Sequence, residues 1–257
     1  MVKGFYNLTS GMLTQKKNLD VISSNMSNAA TIGFKSDRLI TSTFQQELMS
    51  RTGNMEKSNP EALGDVTMAR LPRETVTDFT QGSFRQTNQS LDFAIDGVGF
   101  FVVQSGDGQQ RYTRNGSFNI NADGYLCTQD GDIVMGDNGP ILIADPANVN
   151  QLNAEKITVD ASGRIYNSEG QYVDRFNIIE FDDPAQLVKQ DGYFIGGGQG
   201  QQVVATIHQG WTEESNVDPL KEMVLMIESE RNLQSASQVL KMYDQMLAKA
   251  TTDIANI

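Results

Sequence analysis

Two apolar stripes at heptad spacing, one near each end, constrain this 257-residue chain more than any other feature. Near the start, Phe5, Leu8, Met12, Leu19, Ile22 and Met26 recur at intervals of 3, 4, 7, 3 and 4, with Gln15 filling the gap. Near the end, Met226, Leu233, Ala236, Leu240, Tyr243, Leu247, Ala250 and Ile254 step by 7, 3, 4, 3, 4, 3 and 4. Residues three and four apart share one face of an α-helix, so each stripe predicts an amphipathic helix with a coiled-coil seam. The first helix, over about residues 4 to 28, would be roughly 37 Å long. Asp218 followed by Pro219 is a start signal for the second, because aspartate caps free N–H groups and proline suits the first helical position. Just beyond, Met223, Val224, Leu225, Met226 and Ile227 are consecutive and apolar. Five such residues cover the whole circumference of a helix, which predicts burial on all sides within a multi-helix assembly. Met12, Met26, Met223, Met226, Met242 and Met246 all fall on these two segments, and flexible thioethers suit contacts with non-equivalent neighbours.

The middle of the chain has a different period. Between Thr80 and Pro140, short apolar runs alternate with Asp-Gly, Asn-Gly and Gly-Asp dipeptides. These supply the positive φ of tight hairpins, and hairpins at such short intervals predict an antiparallel all-β domain. An internal repeat supports this. Phe118, Ile120, Gly124, Leu126, Gly131 and Ile133 recur, 39 residues on, as Ile157, Val159, Gly163, Ile165, Gly170 and Tyr172. The expected fold is therefore α+β: a discontinuous helical coiled-coil domain (1–35 plus 216–257) with an antiparallel all-β domain (78–215) inserted. Residues 36–77, rich in Ser, Thr, Asn and Glu, read as an extended connector.

Charge narrows the partners. The net charge of −12 argues against nucleic acid, which needs a basic patch. The first 36 residues carry four lysines against one aspartate, and residues 216–257 carry six acids against four bases. The negative charge is thus concentrated in the middle, while the ends are close to neutral and free to pack. No run reaches the roughly 18 apolar residues of a membrane span, so direct membrane insertion is not expected. The N-terminal "MVKGFYNLTSGML" has no apolar h-region, which predicts no cleaved secretory signal. The single cysteine, Cys127, excludes an intramolecular disulfide framework.

Catalytic and metal motifs are weak. No Gly-x-Ser-x-Gly elbow or phosphate-cradling loop occurs, and "GDGQQR" and "GGGQGQQ" lack the third glycine of a dinucleotide fingerprint. His208, the only histidine, reads as a strand residue, and a zinc site is not expected. Asn119, Asn121, Asp123, Gly124 and Asp130 match positions 1, 3, 5, 6 and 12 of a calcium loop. Flanking strands in place of helices favour a plain hairpin there. No cofactor and no enzymatic activity are expected.

Three stretches together resemble a known family. "LDVISSNMSNAATIGFK" is similar to the N-terminal signature of bacterial flagellar rod and hook proteins. "SLDFAIDGVGFFVVQ", "YTRNGSFNINADGYL" and "DGDIVMG" resemble that family's β-domain, and "SNVDPLKEMVLMIESERN" its C-terminal signature. The resemblance implies a flagellar basal-body rod subunit, of proximal or distal type. It implies self-assembly into a helical tube, with the terminal helices inside and the β-domain outside, transmitting torque from motor to hook. It further implies other rod and hook subunits as partners, and passage through the flagellar export apparatus to the basal body without a cleaved signal. Carried onto this chain, the assembly interface would comprise Leu8, Met12, Leu19, Ile22 and Met26 on the first helix. Met223, Met226, Ile227, Leu233, Leu240, Tyr243 and Leu247 would supply it on the second. Asn25, Asn28, Gly33, Phe34, Lys35, Ser215 and Asn216 are the signature positions. The competing reading is a secreted β-domain binding protein or enzyme, oligomerised by its terminal helices.

Overall fold

The computed structural model describes residues 2–51, 61–143, 157–167, 170–190, 192–196, 198 and 200–255. The chain forms two compact units. One holds residues 1–27, 37–76 and 218–257; the other holds 28–36 and 77–217. The expected α+β class, with an antiparallel sheet domain between terminal helices, is what the structure shows.

In the first unit, α1 (Val2–Ser27) packs against α2 (Pro219–Ala255). The start of α2 follows the sequence signal: Asp218 Oδ1 accepts from the N–H groups of Leu220 (3.0 Å) and Lys221 (3.3 Å). Between the helices, Asn18 Nδ2 donates to Ser229 Oγ at 3.2 Å. The same unit holds a two-stranded sheet of β1 (Asp37–Arg51) and β2 (Glu61–Thr77), in the stretch expected as an extended connector. Residues 52–60 of that stretch, and the side chains of Ala250 and Ile254, lie outside the described residues.

The second unit is built around one strand. Phe100–Gln104 pairs antiparallel with Gln110–Thr113 on one side, and with Ile133–Gly136 and Ile178–Glu180 on the other. Phe100, Phe101, Val102 and Val103 are all buried, as a central strand covered on both faces requires. Successive side chains point to opposite faces, so this strand feeds two cores. Phe101 joins Phe93, Phe118 and Phe176, with ring centroids 5.0–6.2 Å apart among them. Phe100 joins Phe181, Leu187 and Phe194.

The internal repeat is a structural repeat. In the first copy, Asn121 N bonds Tyr125 O while Gly124 N bonds Asn121 O; Asp160, Arg164 and Gly163 make the same pair 39 residues later. The second turn of each copy matches as well: Thr128, Gly131 and Asp132 against Asn167, Gly170 and Gln171. All four turn glycines have positive φ, between 75° and 91°. The suspected calcium loop is the first of these turns. Asn121 Oδ1 accepts the N–H groups of Asp123 and Tyr125, holding the hairpin closed.

Asp130, the last position of that pattern, instead accepts a 2.6 Å hydrogen bond from the Tyr193 hydroxyl, which also lies 3.1 Å from Thr128 Oγ1. Burial, reinforced by the bond to Asp130, pushes the Tyr193 phenol well above the usual tyrosine range. The folded state therefore keeps a proton that the unfolded chain gives up near the ordinary value of 10.0. This contribution is fully present below about pH 10 and is lost as pH rises through the raised folded value. Urea midpoints at pH 9, 10 and 11 should fall more steeply for the native protein than for Tyr193→Phe. Tyr112 and Cys127, also raised by burial, remain in both proteins, so the difference isolates Tyr193. Equal slopes would refute this account.

Candidate functional site

The two helices carry more apolar surface than their mutual contact covers. On α2, Met226, Leu233, Leu240 and Tyr243 lie on a half-buried face, together with buried Ser229. Other apolar side chains of α2 are exposed in two groups: Leu220 at 75%, Met223 at 46%, Val224 at 64% and Ile227 at 47% near its start, and Met242, Met246 and Leu247 toward its end, with exposed polar Arg231, Gln234, Ser235 and Gln238 between them. The apolar turn at 223–227 is thus largely solvent-facing in the single chain. On α1, Leu8, Met12, Leu19 and Met26 are half-buried, and Ile22 is buried. Asn25 is buried with its amide engaged: it accepts from Asp37 N (2.9 Å) and donates to Asp37 O (2.8 Å). Its Nδ2 also lies 3.4 Å from Glu222 Oε1. Asn25 thereby anchors the start of β1 within its own unit.

The remaining signature residues belong to the second unit and form a polar junction. Asn28 starts a turn, its carbonyl accepting from Thr31 N at 3.1 Å. Gly33, at φ +69°, donates its N–H to Glu213 O at 2.8 Å. Phe34 is buried, and the Lys189 ammonium sits 3.5 Å from its ring centroid while donating to Lys35 O at 2.7 Å. Lys35 and Glu213 are each 1% exposed and paired at 2.5 Å. Lys35 Nζ also donates to Thr80 O at 2.8 Å. Arg114, likewise buried, reaches the other Glu213 oxygen at 3.3 Å and donates to Gly97 O at 2.7 Å. Burial lowers the pKa of Lys35, and the Glu213 carboxylate pulls the other way; Arg114 has the same balance of causes. Asn216 ties three segments: its Oδ1 accepts from Ser36 N (2.7 Å), and its Nδ2 donates to Asp78 O (2.8 Å) and Thr80 O (3.1 Å). Ser215 Oγ accepts from Val217 N at 3.3 Å.

The partners of this junction escaped sequence reasoning. Glu213, Arg114 and Lys189 lie 178, 79 and 154 residues from Lys35; Glu213 and Lys189 fall outside the family-like stretches, and Arg114 falls inside one, "YTRNGSFNINADGYL", with nothing in it to mark a buried ion pair. The available signal was a lysine closing a small, apolar run, "AATIGFK", where an ammonium needs a counter-charge if buried.

Three family profiles match the chain. Residues 5–35 match the flagella basal body rod protein, 94–167 the flagellar hook protein FlgE/F/G D1 domain, and 208–253 the flagellar basal body rod FlgEFG protein C-terminal. The rod protein FlgF of Caulobacter vibrioides is 34% identical over 247 residues, covering 93% of each chain. The chain belongs to the flagellar basal-body rod family. The rod protein FlgG of Buchnera aphidicola from Acyrthosiphon pisum is 30% identical, across 97% of this chain and 98% of its own. The hook-basal body complex protein FlhO of Bacillus subtilis is 28% identical over the full length of both. The buried triad draws one residue from each rod- and hook-family match: Lys35, Arg114 and Glu213. In this rod-family chain, three segments far apart in sequence thus meet at one ionic centre.

Proposed function

We propose that this chain is a structural subunit of the flagellar basal-body rod that self-assembles into a helical tube and carries torque from motor to hook. The observation that carries the reading is the exposed apolar surface of α2, at Leu220–Ile227 and again at Met242–Leu247, on a chain that belongs to the rod family. Apolar surface on this scale drives association. Contacts between unlike faces, repeated without ring closure, generate helical filaments. The terminal helices, with Leu8, Met12, Leu19, Met26, Met223, Met226, Ile227, Leu233, Leu240, Tyr243 and Leu247, form the inner layer. The β-domain forms the outer one. Asn25, Gly33, Lys35 and Asn216 serve the assembly indirectly, by fixing the local structure of their own units. The partners are other rod and hook subunits, and the route is the flagellar export apparatus without a cleaved signal. Isolated helices are marginal in water, so the terminal segments gain their full stability only on assembly, which suits export in an unfolded form. The family relationship favours this structural role over an oligomerised binding protein or enzyme.

Mixing the purified chain with neighbouring rod components should give short filaments by negative-stain imaging. The double variant Met242→Glu, Met246→Glu places two carboxylates in the second of these exposed groups, where burial on assembly is strongly unfavourable. Filaments should disappear while the thermal unfolding of the β-domain is unchanged. Undiminished filament formation by this variant would remove the Met242–Leu247 surface from the assembly contact.

A further inference from the structure

The three-stranded sheet formed by Thr158–Val159, Arg164–Tyr166 and Tyr172–Arg175 carries an arrangement that its own folding does not require. Arg164 stands directly across from Arg175, and Tyr166 directly across from Tyr172. Equal spacing would put Tyr172 and Arg175 on opposite faces, since they are three residues apart. A register shift between Ile165 and Tyr166 passes over Val173 and makes both of them cross-strand partners of the Arg164–Tyr166 strand. Bulges of this kind re-aim side chains. Both arginines and both tyrosines, with Asp137, line one open cavity of about 340 Å³.

Like charges directly opposite are unfavourable in a sheet. Arg175 is offset by Asp137, whose Oδ2 lies 2.8 Å from Nε and 2.7 Å from Nη2. The Arg164 side chain is exposed, and its guanidinium has no ion-pair or hydrogen-bonding partner among the described residues. The two tyrosine rings meet edge to face at 6.2 Å, and Tyr172 is 52% exposed. The cavity thus offers a free guanidinium, a second one held in place, and two aromatic walls. It fits a carboxylate next to a compact apolar ring.

The chain itself displays that combination. After the strand Ile178–Glu180 comes Phe181, then Asp182, Asp183 and Pro184. Asp182 is exposed and has no partner among the described residues. Asp183 is also exposed and is held by the turn it caps, accepting from Ala185 N. Pro184 opens the short 3-10 turn and is half-exposed. A rigid acidic loop ending in a proline ring is the chemical complement of an arginine–tyrosine cavity. The loop and the sheet that bears the cavity are separate segments of the same unit, with no ion pair between them among the described residues. A protein that carries a knob and its hole at different places makes head-to-tail contacts with copies of itself.

We infer that the Asp182–Asp183–Pro184 loop of one copy docks into the Arg164, Arg175, Tyr166, Tyr172 cavity of a second copy. This contact adds a polar, orienting interaction between β-domains to the self-assembly proposed above, on which it rests. Charged contacts of this type set register and partner choice more than affinity.

Sedimentation velocity of the full chain over a range of concentrations tests it. The native protein should self-associate. Arg164→Glu alone, and Asp182→Arg alone, should each weaken association at least tenfold, and the double variant should regain most of the loss. Both positions are exposed, and circular dichroism should show unchanged folding. Equal association in all four proteins, or none in the native protein, overturns the contact. Single losses without recovery in the double variant also overturn it, pointing to some other acidic partner for the cavity. Filament formation with neighbouring rod components, and its loss in the Met242→Glu, Met246→Glu variant, reports separately on the rod reading.

Discussion

Glu213→Gln is expected to destabilise the β-domain unit by about 3–5 kcal/mol, the loss typical of breaking a buried ion pair from one side. The substitution keeps the shape and removes the only carboxylate among the described residues that pairs with both Lys35 and Arg114. Those two cations are buried, and nothing else in the triad balances them. Gly82 N, which donates to Glu213 Oε1 at 3.0 Å, weakens its bond at the same time. Burial already lowers the pKa of Lys35 against the pull of Glu213. Without that pull, Lys35 relieves part of the strain by releasing its proton, which keeps the loss finite. Lys35→Met removes a cation instead and leaves Glu213 paired with Arg114. Its thioether fills most of the vacated volume, so the loss should be clearly smaller. Urea midpoints of the three proteins, at constant denaturant slope, measure the difference. A Lys35→Met loss equal to or larger than that of Glu213→Gln would mean that packing, not charge balance, governs the junction.

Much of this fold is legible in the sequence because local chemistry dictates it. The turns at Gly124, Gly131, Gly163 and Gly170 are visible because positive φ demands glycine, and the 39-residue repeat exposes their shared hydrogen bonding. The cap at Asp218 is visible because its three-residue reach lies in one short segment. The β1–β2 sheet is not legible in this way, since the sequence of its two strands shows no sustained alternation of apolar and polar residues to mark a period of two. The junction is hidden for another reason. Lys35, Arg114 and Glu213 each look like ordinary solvated charges, and only folding brings them together. The signature residues Asn25, Gly33, Lys35 and Asn216 therefore bond within the chain, which heptad spacing alone does not reveal. The arginine–tyrosine face is equally hidden, because a register shift breaks the alternation on which strand reading depends.

Gly33→Ala should be nearly as damaging, and the reason is backbone geometry. At φ +69° an L side chain costs about 1–2 kcal/mol by itself. The added Cβ would also stand 2.4 Å from Asn115 N, 2.5 Å from Arg114 C and 2.8 Å from Arg114 O. These are main-chain atoms, so no side chain can swing aside, and overpacking of this kind costs about another 1–3 kcal/mol. The segment next to Arg114 would have to move, disturbing the same ionic centre, together with the bond from Gly33 N to Glu213 O. Gly11 supplies the contrast. It lies inside α1, and a Cβ there meets nothing within 4 Å. Gly11→Ala should therefore stabilise α1 by about 1 kcal/mol through helix propensity. Denaturant titrations of both variants, followed by tryptophan fluorescence from Trp211 beside the junction strand, should shift the Gly33→Ala midpoint down and leave the Gly11→Ala midpoint unchanged. Trp211 lies two residues from Glu213, so it reports on the unit that holds the junction. If Gly33→Ala matched Gly11→Ala, the close approach of residue 33 to the Arg114–Asn115 backbone could not be what fixes the glycine in this turn.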